Sequence, residues 1–390
     1  ALVPAVLSVG VIGVSYGLGR ELYDRRAGVL AALLVALTPM ITHWASSGYV
    51  DLPTAFYYGL SAIFVARLRR ESSWQNALLA GIMGGLAAWT KISGLLVIPA
   101  IGLWFGYLIV WRRETVSPRL IAVLIAGFAI AAGPWYARNV RLDGVLIPAT
   151  GWTWAAQRTP INLLPYLADS RYLPIGLLFT GGLLAALWTA WRSRFRDPET
   201  ALLLIFYLPF FGIWWALFSY DGRFLLVLTP VIAVMTASAI RTIGGAMGKR
   251  IAPPGQLARR LATWGSAAGI VLLALPAASA AVDFKGDLLR HPFMSDAEKH
   301  RLKVGSRYDV GLYLQTLPPP RRLWTTDGLL PYYADGADAT VGASVLPESL
   351  AGYDYVVVSP GQTLADPPPG LTLVHTDGDY RLYRVDQLYK

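Results

Sequence analysis

The residues equipped for chemistry are few and scattered: Asp51 in THWASSGYVDLPTAFYYG, Lys91 in AAWTKISGLLVIP, Arg138 and Arg141 in GPWYARNVRLDGVLIP, and Asp221 and Arg223 in SYDGRFLLVLTP. Each borders a long apolar run. A carboxylate in such a place can activate a hydroxyl or orient a reacting group, and cations there can hold a phosphate. Each also has a plainer role. Asp51 stands before an apolar segment with Pro53 in its first turn, which suits a helix N-cap. Lys91 can snorkel to lipid headgroups, and Asp221 and Arg223 can simply neutralise one another. Trp135 and Tyr136 fit an interfacial aromatic belt better than the two arginines after them do. Trp152 and Trp154 fit the same belt, or a stacking platform for a sugar or an isoprenoid chain. Tyr220, beside Asp221, is a supporting candidate. His43 has no second His close in sequence and no HExxH pattern around it, so it reads as an interfacial residue that could support the site.

The sequence has no cysteine, which excludes disulfides, Cys-ligated zinc, iron–sulfur clusters and thiol catalysis. It also lacks a P-loop, a Rossmann glycine fingerprint and a GxSxG elbow. The expectation is no metal and no cofactor.

The elements that must position these residues belong to a polytopic membrane protein. The 390 residues are 55% hydrophobic and 15% charged, against about 25% charged in an ordinary soluble domain. Apolar blocks of helix length lie at about 3–19, 27–43, 52–66, 76–90, 92–111, 119–137, 172–191, 201–219, 224–240 and 261–282, which predicts ten spans. The second to fourth are short for a perpendicular crossing and are expected to be tilted, kinked or partly interfacial. Between their ends the blocks hold no ionisable residue, which disfavours an ion-coupled transporter.

Lys and Arg distribute unevenly over the connections. One alternate set, including Arg20, Arg67, Arg69, Arg70, Arg112, Arg192 and Arg241, holds 17 of them; the other holds six, namely Lys91, Arg138, Arg141, Arg158, Arg171 and Arg223. Positively charged loops stay on the cytoplasmic side. Asp51, Lys91 and Arg223 are therefore placed on the outer side of a cytoplasmic (inner) membrane, where a reaction centre could take a lipid from the bilayer and a water-soluble partner from outside. The net charge of +10 is assigned to these loops and not to a nucleic-acid partner. After residue 283 the composition changes to Pro, Asp and Gly without an apolar run long enough to span. DYVVVS at 354–359 reads as a buried strand, 371–385 as a hairpin turning at Asp-Gly, and 306–317 as an amphipathic helix. The division is thus an all-α membrane domain over 1–283 and a small extracytoplasmic α/β domain over 284–390. The opening ALVPAVLSVG, without Met or a basic lead-in, reads as a fragment or a trimmed N-terminus.

Four stretches in order, LGRELYDRRAGVLAALLVALTPMITHWASSGYVDLPTAFY, GGLAAWTKISGLLVIPA, GPWYARNVRLDG and DGRFLLVLTPVIAV, resemble the membrane glycosyltransferases of the glycosyltransferase C fold, specifically bacterial relatives of the protein O-mannosyltransferases and the aminoarabinose lipid A transferases. The resemblance covers about 1–240. It implies transfer of a sugar from a polyprenyl-phosphate donor to an acceptor hydroxyl of a protein, lipid or polysaccharide on the outer face. By this likeness Asp51 falls on the acidic residue of the second outer loop, Lys91 on a TK motif and Arg223 on an R-[FY]-L-L motif facing the donor phosphate; Arg138 is a further phosphate-binding candidate by its charge and its place near a predicted helix end. The family's first outer loop carries an acidic residue that here would precede Ala1, so the first helix and that loop are expected to be missing. Two other classes compete: a lipid-linked saccharide flippase, which needs a polar path that the spans do not supply, and a non-catalytic membrane scaffold.

Overall fold

The computed structural model describes all residues except 1, 46–48, 148–174, 218–221, most of 252–292, 320, 343–345, 348, 363–368 and 387–390. The chain divides into two compact units, Ala1–Phe284 and Lys285–Lys390.

The first unit is helical. Its described elements are α1 (Leu2–Leu22), α2 (Arg25–Ala36), α3 (Pro39–Trp44), α4 (Asp51–Arg70), α5 (Trp74–Thr90), α6 (Val97–Gly106), α7 (Pro118–Asp143), α8 (Ile175–Arg192), α9 (Pro198–Leu217) and α10 (Thr229–Ile251). A 3-10 turn, Ile92–Leu96, leads into α6, and another, Gly222–Leu228, leads into α10. By length and composition, four helical stretches among the described residues can cross a membrane: Ile92–Trp111, Pro118–Asp143, Pro198–Ala216 and Gly222–Ile243.

The expected count of ten spans is therefore not reached on this measure, and several departures have a local cause. The second block is broken at Thr38–Pro39, where proline cannot continue the preceding helix. That leaves α2 with 12 residues, about 18 Å at 1.5 Å per residue and short of the bilayer core. α5 has 17 residues. The tenth block, 261–282, lies almost wholly outside the described residues.

Packing of α4 and α5 matters most for the candidate site. Small residues let α5 approach α7 closely: a Cβ on Gly81 would stand 2.0 Å from the Leu124 carbonyl oxygen, so only glycine fits at that crossing. Ser61 of α4 donates to the Ala80 carbonyl of α5 at 2.9 Å, and Tyr58 of α4 donates to the Phe206 carbonyl of α9 at 2.7 Å. Such bonds satisfy polar groups that apolar surroundings would otherwise leave unpaired. The core of the unit gathers around α4, α9 and α10, with Tyr58, Phe206, Phe210, Trp214 and Leu226 buried.

The second unit joins α11 (Asp296–Val304) and α12 (Ser306–Thr316) to a five-stranded sheet of β1 (Arg322–Thr325), β2 (Asp338–Val341), β3 (Tyr355–Val358), β4 (Leu371–Asp377) and β5 (Tyr380–Val385). The strand order is β2-β1-β3-β5-β4. β1 pairs in parallel with β2 and β3, while β3–β5 and β4–β5 are antiparallel. All four residues of β3 are buried, as expected of a central strand covered on both faces. One face packs Val357, Leu382 and Leu323 with Val310 and Leu314 of α12; the other packs Val356, Val358, Leu371 and Tyr383.

Candidate functional site

Three of the residues singled out by type and position come together although 40 to 172 positions separate them: Asp51, Lys91 and Arg223. Asp51 is the first residue of α4 and is 1% exposed. The plain reading of it as a helix cap does not hold, because Val50 occupies the N-cap position and no side chain caps the helix. The carboxylate turns instead to two cations. Lys91 Nζ donates to Asp51 Oδ1, and Arg223 Nε lies 3.6 Å from Asp51 Oδ2. Both cationic side chains are 16% exposed.

Local structure explains how each arrives. Lys91 is the extended residue between the end of α5 and the 3-10 turn that follows. There the chain folds back so tightly that a Cβ on Gly94 would meet the Ala87 carbonyl oxygen at 2.1 Å, which pins the joint against the last turn of α5. Arg223 belongs to the 3-10 turn Gly222–Leu228, whose Phe224, Leu226 and Val227 are buried. Tyr136 of α7 ties in from the side by donating to the Ala88 carbonyl at 2.9 Å.

Aromatic rings that the sequence reading did not single out complete the arrangement. Lys91 Nζ sits 3.8 Å from the centroid of Phe224. The Arg223 guanidinium lies 4.2 Å from the ring of Tyr49, 5.3 Å from that of Trp44 and 5.4 Å from that of Phe224. Trp44 and Tyr49 meet edge to face at 4.9 Å. Ring faces attract cations by about 0.5–2 kcal/mol, more as water is excluded, so these rings fix the cations without consuming their charge. The only sequence signal for them was their adjacency to the polar residues, as in GYVD and GRFLL. Ser93, two residues past Lys91, is also buried, and its hydroxyl has no hydrogen-bond partner among the described residues.

Among the described residues, one carboxylate and two cations gather at the start of α4, whose free amide N–H groups add positive potential. The two cations can hold a phosphate, because the guanidinium fork and the ammonium both match phosphate oxygens.

The other candidates are placed differently. Arg138 and Arg141 are exposed on the last turns of α7, with Arg138 over the Trp135 ring at 5.2 Å. His43 falls in α3, but its side chain lies outside the described residues, as do Tyr220, Asp221, Trp152 and Trp154. Among the described residues, no three His, Cys, Asp or Glu side chains are grouped to hold a metal.

Residues 1–137 match the family model described as dolichyl-phosphate-mannose-protein mannosyltransferase. No curated protein sequence matches the chain. Among solved structures, ArnT from Cupriavidus metallidurans in the apo state is 20% identical with a TM-score of 0.64, covering 98% of this chain and 82% of that one. ArnT bound to undecaprenyl phosphate gives 18% identity and a TM-score of 0.65, covering 100% and 84%. The Archaeoglobus fulgidus oligosaccharyltransferase AglB, in complex with an inhibitory peptide and a dolichol-phosphate, is 15% identical with a TM-score of 0.54, covering 92% of this chain and 58% of that chain. This multi-pass membrane chain thus has the glycosyltransferase C fold of ArnT and AglB, and its first 137 residues carry the pattern of the dolichyl-phosphate-mannose-protein mannosyltransferases.

Proposed function

We propose that the chain is a glycosyltransferase that moves a sugar from a polyprenyl-phosphate carrier to an acceptor hydroxyl of a protein, lipid or polysaccharide at the outer face of the cytoplasmic membrane. The observation that carries this reading is the convergence of Asp51, Lys91 and Arg223 in one buried cluster. The solved relatives that hold undecaprenyl phosphate and dolichol-phosphate support a lipid phosphate as its ligand.

The charge balance follows from the groups present. The donor is a phosphodiester bearing one negative charge, which the two cations can hold. As the acceptor oxygen attacks the anomeric carbon, the bond from that carbon to the phosphate oxygen breaks, with inversion, and the departing phosphate gains a second negative charge. Lys91 and Arg223 turn toward that growing charge. Their departure frees the Asp51 carboxylate, which accepts the proton of the attacking hydroxyl. One movement of the cations thus serves both leaving group and base. Tyr49, Trp44 and Phe224 keep the cations within reach throughout. No metal is required in this scheme.

The orientation belongs to the same proposal. The arginine-rich end of the helices faces the cytoplasm, the Asp51 end faces outward, and the C-terminal unit is extracytoplasmic. Ten crossings, including 261–282, are consistent with it.

The test is incorporation of label from a radiolabelled polyprenyl-phosphate sugar by membranes holding the full-length protein, compared with Asp51→Asn, Lys91→Ala and Arg223→Ala. Loss of incorporation in each supports the assignment. Undiminished incorporation in all three removes it.

A further inference from the structure

Helices α8 and α10 meet closely where Gly182 lies against Thr236: a Cβ on Gly182 would stand 2.1 Å from the Thr236 hydroxyl oxygen. Over the next two turns the facing side chains include the small Ala185, Ala186 and Ala239, and there the two helices and the start of α9 enclose a cavity of about 550 Å³. Small-molecule sites commonly have about 300–1,000 Å³. Glu199, two residues past Asp197 of the cavity wall, lies 3.8 Å from Arg69 and 3.6 Å from Arg70. The cavity therefore belongs to the arginine-rich end of α4 and not to the Asp51 end.

The lining has two parts. Ala186, Met235 and Ala239 form an apolar wall, and Trp188 and Ile243, which also line the cavity, are 57% and 56% exposed among the described residues. On a membrane helix such side chains face lipid, and tryptophan favours the headgroup level. The cavity thus opens toward the bilayer near the headgroups of one leaflet.

The polar part holds a charge of each sign, Arg241 and Asp197. Arg241 pairs with Asp24 at 2.6 Å through one terminal nitrogen, which leaves most of its five N–H donors for another acceptor. The Asp197 carboxylate accepts from the Thr200 hydroxyl at 2.5 Å and forms no ion pair among the described residues. A cation and a carboxylate facing one cavity suit a zwitterion. A purely anionic headgroup would bring nothing to Asp197 but repulsion, and a water-soluble zwitterion would leave the apolar wall uncovered.

We propose that this cavity binds one phosphatidylethanolamine of that leaflet, with the headgroup phosphate on Arg241, the ammonium on Asp197 and an acyl chain against Ala186, Met235 and Ala239. The inference needs the membrane but not the transferase reading, since neither Asp51 nor its two cations take part.

The experiment is native mass spectrometry of the full-length protein, released from detergent micelles after equilibration with equal amounts of phosphatidylethanolamine and phosphatidylglycerol. The parent is expected to retain one phosphatidylethanolamine, preferred over phosphatidylglycerol by at least about fivefold. Arg241→Ala should lower that retention about tenfold through loss of a charge-assisted bond to phosphate. Asp197→Asn keeps the side chain's size and its bond from Thr200, and should remove the preference while phosphatidylglycerol is still held. Arg67→Ala, which removes a comparably exposed arginine from the same end of the unit, should match the parent. Absence of a retained phosphatidylethanolamine, no preference in the parent, an unchanged preference in Asp197→Asn, or equal retention by Arg241→Ala and Arg67→Ala overturns the proposal.

Discussion

At one end of α4, Arg67, Arg69 and Arg70 meet Glu21, Glu114 and Glu199 in a network of side chains 18–45% exposed; at the other, Asp51 is 1% exposed between Lys91 and Arg223. The helix has 20 residues, so about 30 Å separates the two. The exposed end is redundant. Glu21 serves two arginines, Arg69 serves two glutamates, and Asp24 both caps α2 and pairs with Arg241 at 2.6 Å. Water screens such pairs, and each is worth about 0–1 kcal/mol. Among the described residues, the buried end gathers two cations on one carboxylate. A buried charge left alone costs several kcal/mol, so each of these three charges depends on the others. The difference separates an exposed network of interchangeable pairs from a buried cluster whose charges depend on one another.

Substitutions at the two ends sharpen or break this contrast. The largest effect is expected from Asp51→Asn, which keeps the shape but removes the proton acceptor; turnover should fall by about 10²–10⁴. Steady-state incorporation of labelled sugar measures it, and a fall of less than tenfold contradicts the role. Lys91→Ala and Arg223→Ala should each lower turnover by about 10²–10³. Arg223→Lys should restore only part of that, since a lysine cannot stack its charge across Tyr49 and Trp44 as a planar guanidinium does.

At the opposite end, Arg67→Ala should leave turnover unchanged and alter thermal unfolding by no more than about 1 kcal/mol. A tenfold loss of activity there would erase the distinction between the ends. The smallest effect concerns pH. Bonds from Arg69, opposed by partial burial and reinforced by Arg112, hold the Glu114 carboxyl below its ordinary value. A depressed folded value contributes stability above the unfolded value of about 4.3 and loses it as pH falls through the folded one. Unfolding midpoints of the parent should therefore drop between about pH 5 and 3 by slightly more than those of Glu114→Gln. Equal slopes would show that the pair contributes nothing.

Much of this molecule was legible from hydropathy alone. The apolar blocks up to residue 240 correspond to helices, and the strand at 355–358 and the hairpin at 371–385 fall where alternation and Asp-Gly put them. The break after Thr38 was less visible, because a single proline interrupts an otherwise continuous apolar run. β1 and β2 went unread: RLWT and DATV have four residues each, too short for a period to register. Asp51, Lys91 and Arg223 could be named from their odd position at the edges of apolar runs. That they meet could not, because it depends on how α4, α5 and the turn before α10 pack, and close contacts such as Gly81 against Leu124 leave no periodic trace. The same blindness hid the rings around Arg223. Aromatics near a membrane surface read as belt residues, and only their geometry shows them lying on a cation.

The most direct test is the affinity of undecaprenyl phosphate for the full-length protein in nanodiscs, followed by the quenching or shift of tryptophan fluorescence, since Trp44 lies against Arg223. The parent and Arg67→Ala should bind equally, whereas Lys91→Ala and Arg223→Ala should each bind at least about tenfold more weakly. Equal affinity in all four proteins would mean that the buried cluster does not hold the lipid phosphate.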